Sequence, residues 1–190
     1  MYIDWEKTIT FNPKFGPNLS ADLPPGGIRI PSYGNYGGPL NDAGPDGIPV
    51  DCLDGLFKTH DRTIEASAID AGGLTPGDLI SAHADLIGGI AALDARSGLE
   101  DPEASLYAGL STLALTAEVA SFGGLEALAW ELGPATGLPT VIAEAIENME
   151  VGLAEVRGGG KSLHGALHWF ERQFVDLLGV PPSPDADAFG

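Results

Sequence analysis

The sequence predicts an all-α protein, and three observations lead to this fold class. First, residues at helical spacing form the apolar stripe of an amphipathic helix, namely Leu53, Leu56, Phe57, His60 and Ile64. Second, the run from Thr75 to Asp78 combines an N-cap, a proline at the first helical position and an acidic residue in the first turn. Third, Gly-Pro and triple-glycine breaks separate further helical patterns near Ala104–Leu132, Pro139–Val156 and Ser162–Leu178.

The elements are expected in the following order. Residues 1–49 are rich in glycine, proline and asparagine, with aromatic anchors at Trp5, Phe11 and Phe15, so we expect an extended arm and loops. The first helix comes next. The second helix begins at Thr75 and carries the stripe Leu79, His83, Leu86, Ile90 and Leu93. The last pattern carries a stripe that is more often core than a lipid-facing surface, namely Leu163, Leu167, Phe170, Phe174, Leu177 and Leu178, with Trp169 at its edge.

Composition limits the partners and the sources of stability. The chain has 190 residues with 27 acidic and 9 basic side chains, a formal net charge of -18. Nucleic acid is not an expected partner, because phosphate binding needs a basic surface. Attraction to strongly anionic membranes would need bridging cations. Cys52 is the only cysteine, so no intramolecular disulfide can form and packing must supply the stability.

His60 and Asp61 are the first candidate site residues. His60 falls on the inner stripe of the first helix, where a buried imidazole needs a partner. Asp61 is about 100° further around the helix, so both side chains can flank one pocket. For an isolated His-Asp pair, a core histidine beside a solvated aspartate is the commoner situation.

A glycine-rich loop upstream changes that balance. The run YGNYGGPL, from Tyr33 to Leu40, has three glycines that permit positive φ and a proline that fixes φ. Such a loop can turn its carbonyls inward. Calcium prefers six to eight oxygen ligands, commonly backbone carbonyls together with a carboxylate. The loop and Asp61 therefore predict a calcium site.

Together, YGNYGGPL and the later run PVDCLDGLFKTHD resemble the calcium loop and catalytic helix of secreted phospholipases A2, over about Ser32 to Leu93. The chain keeps the family's proline, aspartates, leucine, threonine and His-Asp pair, at Pro49, Asp51, Leu53, Asp54, Thr59, His60 and Asp61. It departs from the family at the half-cystine positions, which hold Asn35, Gly37, Leu56, Phe57 and Thr63. Leu40 replaces the last loop glycine. Ile64 replaces a tyrosine, which puts one hydrogen bond of the usual network in doubt.

The resemblance implies a fold and a division of the chain. The fold would be a phospholipase A2-like pair of long antiparallel helices, with an N-terminal calcium loop and a C-terminal helical extension. Residues 1–100 would form the arm and catalytic core, 101–180 a helical extension packing on that core, and 181–190 a flexible tail. The short connection between the two helices resembles the compact bacterial, fungal and parvoviral versions.

The resemblance also implies the roles of individual residues. His60 would be the catalytic base, and Asp85, in the segment ADLIGGI, would orient it. Calcium would bind the carboxylate of Asp61 and carbonyls from the loop, those of Tyr36, Gly38 and Leu40. Two other aspartates on the second helix compete with Asp85. Asp78 is explained by capping and Asp94 by solvent exposure, so Asp85 is favoured.

The expected function is that of a calcium-dependent phospholipase A2, a hydrolase acting on the sn-2 ester of glycerophospholipids at a membrane or micelle surface. One alternative is a catalytically weak phospholipase-like module that binds calcium or a membrane. Another is a structural or toxin-neutralising partner protein. Inactive relatives commonly lose one member of the His-Asp pair, so intact His60 and Asp61 favour the enzyme.

Two further points concern the location of the protein and the pair formed by His164 and His168. The stretch Met1–Lys7 shows no signal peptide, and no run of 18 apolar residues occurs. The resemblance to secreted phospholipases A2 implies an extracellular protein, which would then use another export route or be excised from a longer protein. His164 and His168, four residues apart, suit a transition metal, but no nearby cysteine or acidic motif completes that site.

Overall fold

The computed structural model describes residues 3–11, 28–38, 43–44, 46–70, 73–94, 99, 101–156 and 164–170. These residues form, in chain order, β1 (Ile3–Phe11), β2 (Ile28–Tyr33), α1 (Cys52–Asp70), α2 (Pro76–Asp94), α3 (Pro102–Ser121), α4 (Leu125–Thr136) and α5 (Leu138–Glu155). Residues 164–170 add a further helical segment. The prediction of a mainly helical protein is confirmed. The prediction of a purely all-α protein is wrong.

The two strands occupy the region that we interpreted as an arm and loops. β1 and β2 pair antiparallel, and their register slips between Asp4 and Thr8. At the slip, the carboxylate of Asp4 accepts hydrogen bonds from the backbone N–H groups of Glu6 and Lys7. In the sequence, Ile3, Trp5, Ile9 and Phe11 stand at alternate positions of β1, interrupted only by Lys7, so the period-two signal of a strand was present and the prediction of an arm overlooked it.

The helices α1 and α2 run antiparallel, as predicted. Leu56 packs against Gly89, and one turn further along α1 His60 meets His83. Because the contacts move forward on α1 and backward on α2, the two helices have opposite directions. The predicted start of α2 is also confirmed. Thr75 and Asp78 exchange the two reciprocal hydrogen bonds of a capping box around Pro76.

The helix predicted near Ala104–Leu132 is two helices in the structure. The chain breaks after α3 at Gly123, which adopts a φ of 79°. α4 itself bends at Gly133, whose backbone is not helical and which precedes Pro134. The apolar periodicity predicted one continuous helix, but the glycines after α3 end that helix and start a new one.

Two glycines allow α3 and α5 to pack closely. A methyl group on Gly109 would lie 2.3 Å from the carbonyl oxygen of Ala145, and one on Gly152 would lie 2.4 Å from Cβ of Leu106. The buried apolar side chains of the sheet, the five helices and residues 164–170 form one cluster. The extension therefore shares its core with α1 and α2.

Several predictions fall partly outside the described residues. The tail, 181–190, and the apolar positions of the last pattern beyond residue 170 lie outside them. Within 164–170, Leu167 and Phe170 are buried, which favours the core interpretation over a lipid-facing surface. The domain boundaries at 100 and 180 stay predictions. None of the described helices is long and apolar enough to cross a membrane.

Candidate active site

One buried carboxylate fastens the turn after β2 to the start of α1. Asp54 is 0 % exposed. It accepts hydrogen bonds from the backbone N–H groups of Asn35 at 3.0 Å, Tyr36 at 2.8 Å and Val50 at 2.9 Å. These bonds replace the hydration that burial removes from the charge. Gly34 must be glycine, because its φ is 56° and a methyl group there would lie 2.6 Å from the Asp54 carboxylate.

Asp51, the other aspartate near the start of α1, holds the same junction between the loop and the helix. Oδ1 of Asp51 accepts the backbone N–H of Asp54 at 2.8 Å, which caps the first turn of α1. Oδ2 of Asp51 accepts the hydroxyl of Tyr33 at the end of β2. Both aspartates of the motif therefore hold the loop against the helix.

The backbone carbonyls of the loop fall into two groups. One group accepts backbone hydrogen bonds and comprises the carbonyls of Tyr33, Asn35 and Gly37. The carbonyls of Tyr36 and Gly38 accept none within the described part of the chain. These two are carbonyls that we predicted to bind calcium. Leu40, the third predicted carbonyl, lies outside the described residues.

Tyr107 of α3 lies between the loop and α1. Its ring stacks on that of Tyr33 with 5.0 Å between the centroids. A methyl group on Gly38 would lie 2.8 Å from the Tyr107 hydroxyl. Burial raises the pKa of Tyr107 well above its ordinary range, and the charge of Asp61 raises it further. Asp61 therefore acts on a residue that contacts the loop.

His60 belongs to a row of polar side chains that crosses three helices. The His60 side chain is 10 % exposed, and its Nδ1 lies 3.4 Å from Oδ1 of Asp61, which is 45 % exposed. On the other side, Nε2 lies 2.9 Å from Nδ1 of His83 on α2. His83 is 3 % exposed, and its Nε2 lies 3.5 Å from Oε2 of Glu118 on α3. The row is buried in the middle and open to solvent at both ends.

Asp85, which we predicted to orient His60, lies elsewhere. It is exposed, and within the described residues it makes no hydrogen bond or ion pair with His60. Position 85 is about 200° around α2 from position 83. When His83 faces α1, Asp85 must therefore face solvent. In the structure, His83 occupies the place predicted for Asp85.

The two competing aspartates are accounted for differently. Asp78 caps α2, where its Oδ2 accepts the hydroxyl of Thr75 at 2.6 Å and the backbone N–H of Thr75 at 3.0 Å. These hydrogen bonds, the side-chain bond first, lower the pKa of Asp78. The capping role of Asp78 is confirmed. The side chain of Asp94 lies outside the described part of the structure.

The donors around Asp61 suit a hard cation in chemical type. A half-exposed carboxylate and two carbonyls that accept no hydrogen bond from the described residues are oxygen ligands of the kind that calcium prefers. Among the described residues, no three His, Cys, Asp or Glu side chains form a group that could hold a metal ion. Within that part of the chain, His164 and His168 therefore belong to no such group, and a calcium site at Asp61 would have to include backbone carbonyls.

Sequence reasoning missed three residues near His60, namely His83, Glu118 and Tyr107. His83 carried a usable signal, because a histidine on the stripe of the helix that pairs with α1 can meet the histidine on the stripe of α1. Glu118 and Tyr107 carried none. They reach the site only through the packing of α3, which the local sequence does not reveal.

The chain was compared with protein-family models, with curated proteins and with solved structures. None of the three comparisons finds a match. The function therefore has to be argued from the residues of the site.

Proposed function

We propose that this chain is a calcium-dependent phospholipase A2, which hydrolyses the sn-2 ester of glycerophospholipids to a lysophospholipid and a fatty acid. One observation carries the proposal. Helix α1 presents His60 beside Asp61, and Asp54 of the same helix holds a loop in which two carbonyls accept no hydrogen bond from the described part of the chain. The likeness of loop and helix to the motifs of secreted phospholipases A2, and the antiparallel pairing of α1 with α2, support the same assignment.

In this proposal, His60 supplies the base. Its Nε2 is engaged by His83 at 2.9 Å, and its Nδ1 lies on the more exposed side, next to Asp61. A water molecule loses a proton to Nδ1 while its oxygen attacks the sn-2 carbonyl carbon. As the ester C–O bond breaks, the proton passes from His60 to the leaving glycerol oxygen.

The residues that would hold calcium are Asp61 and the carbonyls of Tyr36, Gly38 and Leu40. Bound calcium supplies positive charge for the oxyanion and for the substrate phosphate. A phenol is neutral at neutral pH, and burial raises the pKa of Tyr107, so its side chain beside the loop stays neutral in alkaline solution as well. A phenol there adds no negative charge that would compete with the substrate phosphate.

The substrate is expected to approach from the Asp61 end of the row. Asp61 is half-exposed, whereas His83 in the middle of the row is buried. A cavity of about 10 Å³ lies between α2, α3 and α5, lined by residues that include Ile87, Thr112 and Val141. That cavity is far smaller than a site for an acyl chain needs to be.

A second function is favoured by one specific observation. The far nitrogen of His60 contacts the imidazole of His83 and not a carboxylate, and a neutral imidazole stabilises a protonated base less than a carboxylate does. This contact favours a phospholipase-like module that binds calcium or a membrane with weak turnover or none.

Fatty-acid release from phosphatidylcholine vesicles, with calcium or with EGTA, tests the proposal. We expect fatty-acid release with calcium and none with EGTA. In Asp61→Asn we expect no release and no heat of calcium binding in a calorimetric titration (the calcium heat), because the site then lacks its carboxylate. Calcium heat without release would favour the binding module. No calcium heat in the unaltered protein would refute the metal site.

A further inference from the structure

We propose that Glu118 is a positioning residue, which acts through His83 to direct the Nε2–H of His60 toward α2. The inference rests on the proposed function, in which Nδ1 of His60 is the base. The inference is argued from three side chains that face one another, His60 on α1, His83 on α2 and Glu118 on α3. His83 and Glu118 lie outside the loop and helix motifs that resemble a known family. His60 and His83 meet at 2.9 Å, and His83 meets Glu118 at 3.5 Å.

The contact between the two histidines restricts where their protons can be. A neutral imidazole has one N–H and one bare nitrogen. At 2.9 Å, one of the facing nitrogens must donate and the other accept. In the first arrangement His60 donates from Nε2, and both histidines are protonated at Nε2. In the second His83 donates from Nδ1, and both are protonated at Nδ1.

Glu118 favours the first arrangement. Nε2 of His83 is buried and makes no hydrogen bond within the described residues, and the Glu118 carboxylate lies 3.5 Å away. A carboxylate attracts an N–H and repels a bare nitrogen, and burial strengthens both effects. A proton on Nε2 of His83 leaves its Nδ1 bare. That nitrogen must then accept from Nε2 of His60.

Asp61 opposes Glu118 at the other end of the row. Its carboxylate lies 3.4 Å from Nδ1 of His60 and favours the second arrangement, in which Nδ1 is protonated and cannot act as a base. Asp61 loses this influence when a cation engages its charge, whereas Glu118 keeps its own. The first arrangement, with Nδ1 of His60 bare, then prevails.

The chain of contacts from Glu118 through His83 to His60 differs from a direct carboxylate–histidine pair. In a direct pair, the carboxylate holds the base itself in one tautomer. Here Glu118 selects the tautomer of His83, and His83 passes that selection to His60. His83 is 3 % exposed, which limits the access of water to its ring nitrogens, while the Glu118 side chain is 45 % exposed.

Nitrogen-15 NMR of histidine-labelled protein tests the inference without an assay, because bare and protonated ring nitrogens resonate at different shifts. With calcium at a pH where both imidazoles are neutral, we expect both histidines to be protonated at Nε2. Glu118→Gln should shift both toward Nδ1 protonation, because it removes the negative charge that favours a proton on Nε2 of His83 and its amide can donate to that nitrogen as well as accept from it. Glu126→Gln, an exposed change on α4, is the matched control and should leave the spectra unchanged.

Kinetics give a second measurement. Glu118→Gln should lower kcat about tenfold or more with KM unchanged, because a base held in the wrong tautomer is lost without loss of substrate binding. Spectra that show His60 protonated at Nδ1 in the calcium-bound protein would overturn the inference, and so would a Glu118→Gln spectrum identical to that of the control. If the vesicle assay shows no turnover at all, the proposed function fails while the spectra still decide the role of Glu118.

Discussion

Asp54 and His60 are polar residues of the same helix, α1, yet they lie about 120° apart around its axis and their surroundings differ sharply. Asp54 is fully buried and accepts hydrogen bonds from three backbone N–H groups on its own helix junction and on the loop. His60 has one hydrogen bond at 2.9 Å and one loose contact at 3.4 Å, and it is slightly exposed. A fully satisfied buried charge stabilises one conformation. A partly satisfied titratable group beside solvent is the kind of group that can exchange a proton with a substrate.

The largest effect expected from this comparison is on stability. Asp54→Ala leaves the backbone donors of Asn35, Tyr36 and Val50 without an acceptor, so we expect a loss of about 3 kcal/mol or more in the free energy of unfolding. Urea unfolding followed by circular dichroism measures it. Asp70→Ala, at the exposed end of α1, should change the stability by less than about 0.5 kcal/mol. Equal losses in the two variants would refute the special role of Asp54.

The next effect is on turnover and should leave the fold intact. His60→Gln removes the proposed base, so fatty-acid release should fall by about 10²–10⁴-fold. The calcium heat and the circular dichroism spectrum should stay as in the unaltered protein, because His60 is not a proposed ligand and Asp54 still holds the loop. An unfolded variant would instead identify His60 as a core histidine.

Asp85→Asn sharpens the contrast between the predicted orienting residue and the one in the structure. Because Asp85 is exposed and His83 contacts His60, we expect kcat to change by less than about twofold. Initial rates on phosphatidylcholine vesicles measure this change. A loss as large as that of Glu118→Gln would restore Asp85 as the orienting residue.

The smallest effect concerns an exposed hydrogen-bonded carboxylate, Asp78 at the start of α2. Its folded pKa lies below its ordinary value of 3.8, because of hydrogen bonds from Thr75. A carboxylate whose pKa is lowered in the folded state stabilises the fold at every pH above its ordinary pKa. This stabilisation is lost as the pH falls through the lowered pKa. Thr75→Ala removes the hydroxyl donor and should raise the pKa of Asp78 toward 3.8 in an NMR titration. Ser81→Ala, also on α2, should leave the titration unchanged.

Local patterns predicted the helical half of the fold but not the sheet. The stripe of α1 and the capping box at Thr75 depend on neighbours within one helical turn, so the sequence reveals them directly. β1 and β2 are separated by many residues, so their pairing could not be read locally, although Ile3, Trp5, Ile9 and Phe11 at alternate positions did mark β1 as a possible strand. The prediction of an extended arm there recognised the backbone conformation without the pairing.

The candidate site was predicted up to the limit of one helix and one loop. His60, Asp61 and the loop carbonyls follow from motifs that are contiguous in the chain. The partner of His60 depends on how α1 and α2 align, which the packing of Leu56 against Gly89 sets in the structure. The sequence already placed His83 on the apolar stripe of α2, but the resemblance to a known family favoured Asp85 as the partner of His60.

The position of α3 has a consequence for how the chain could be divided. α3 contributes Tyr107 and Glu118, whereas His60 and Asp61 come from α1. A cut between α2 and α3 would leave the proposed base on one fragment and its positioning carboxylate on the other. Two such fragments would form a complementation pair, in which turnover returns only when they reassociate and their shared core closes again. In the proposed enzyme, α3 is therefore a component of the catalytic unit. After such a cut, the rate of turnover would measure how much of the two fragments has reassociated.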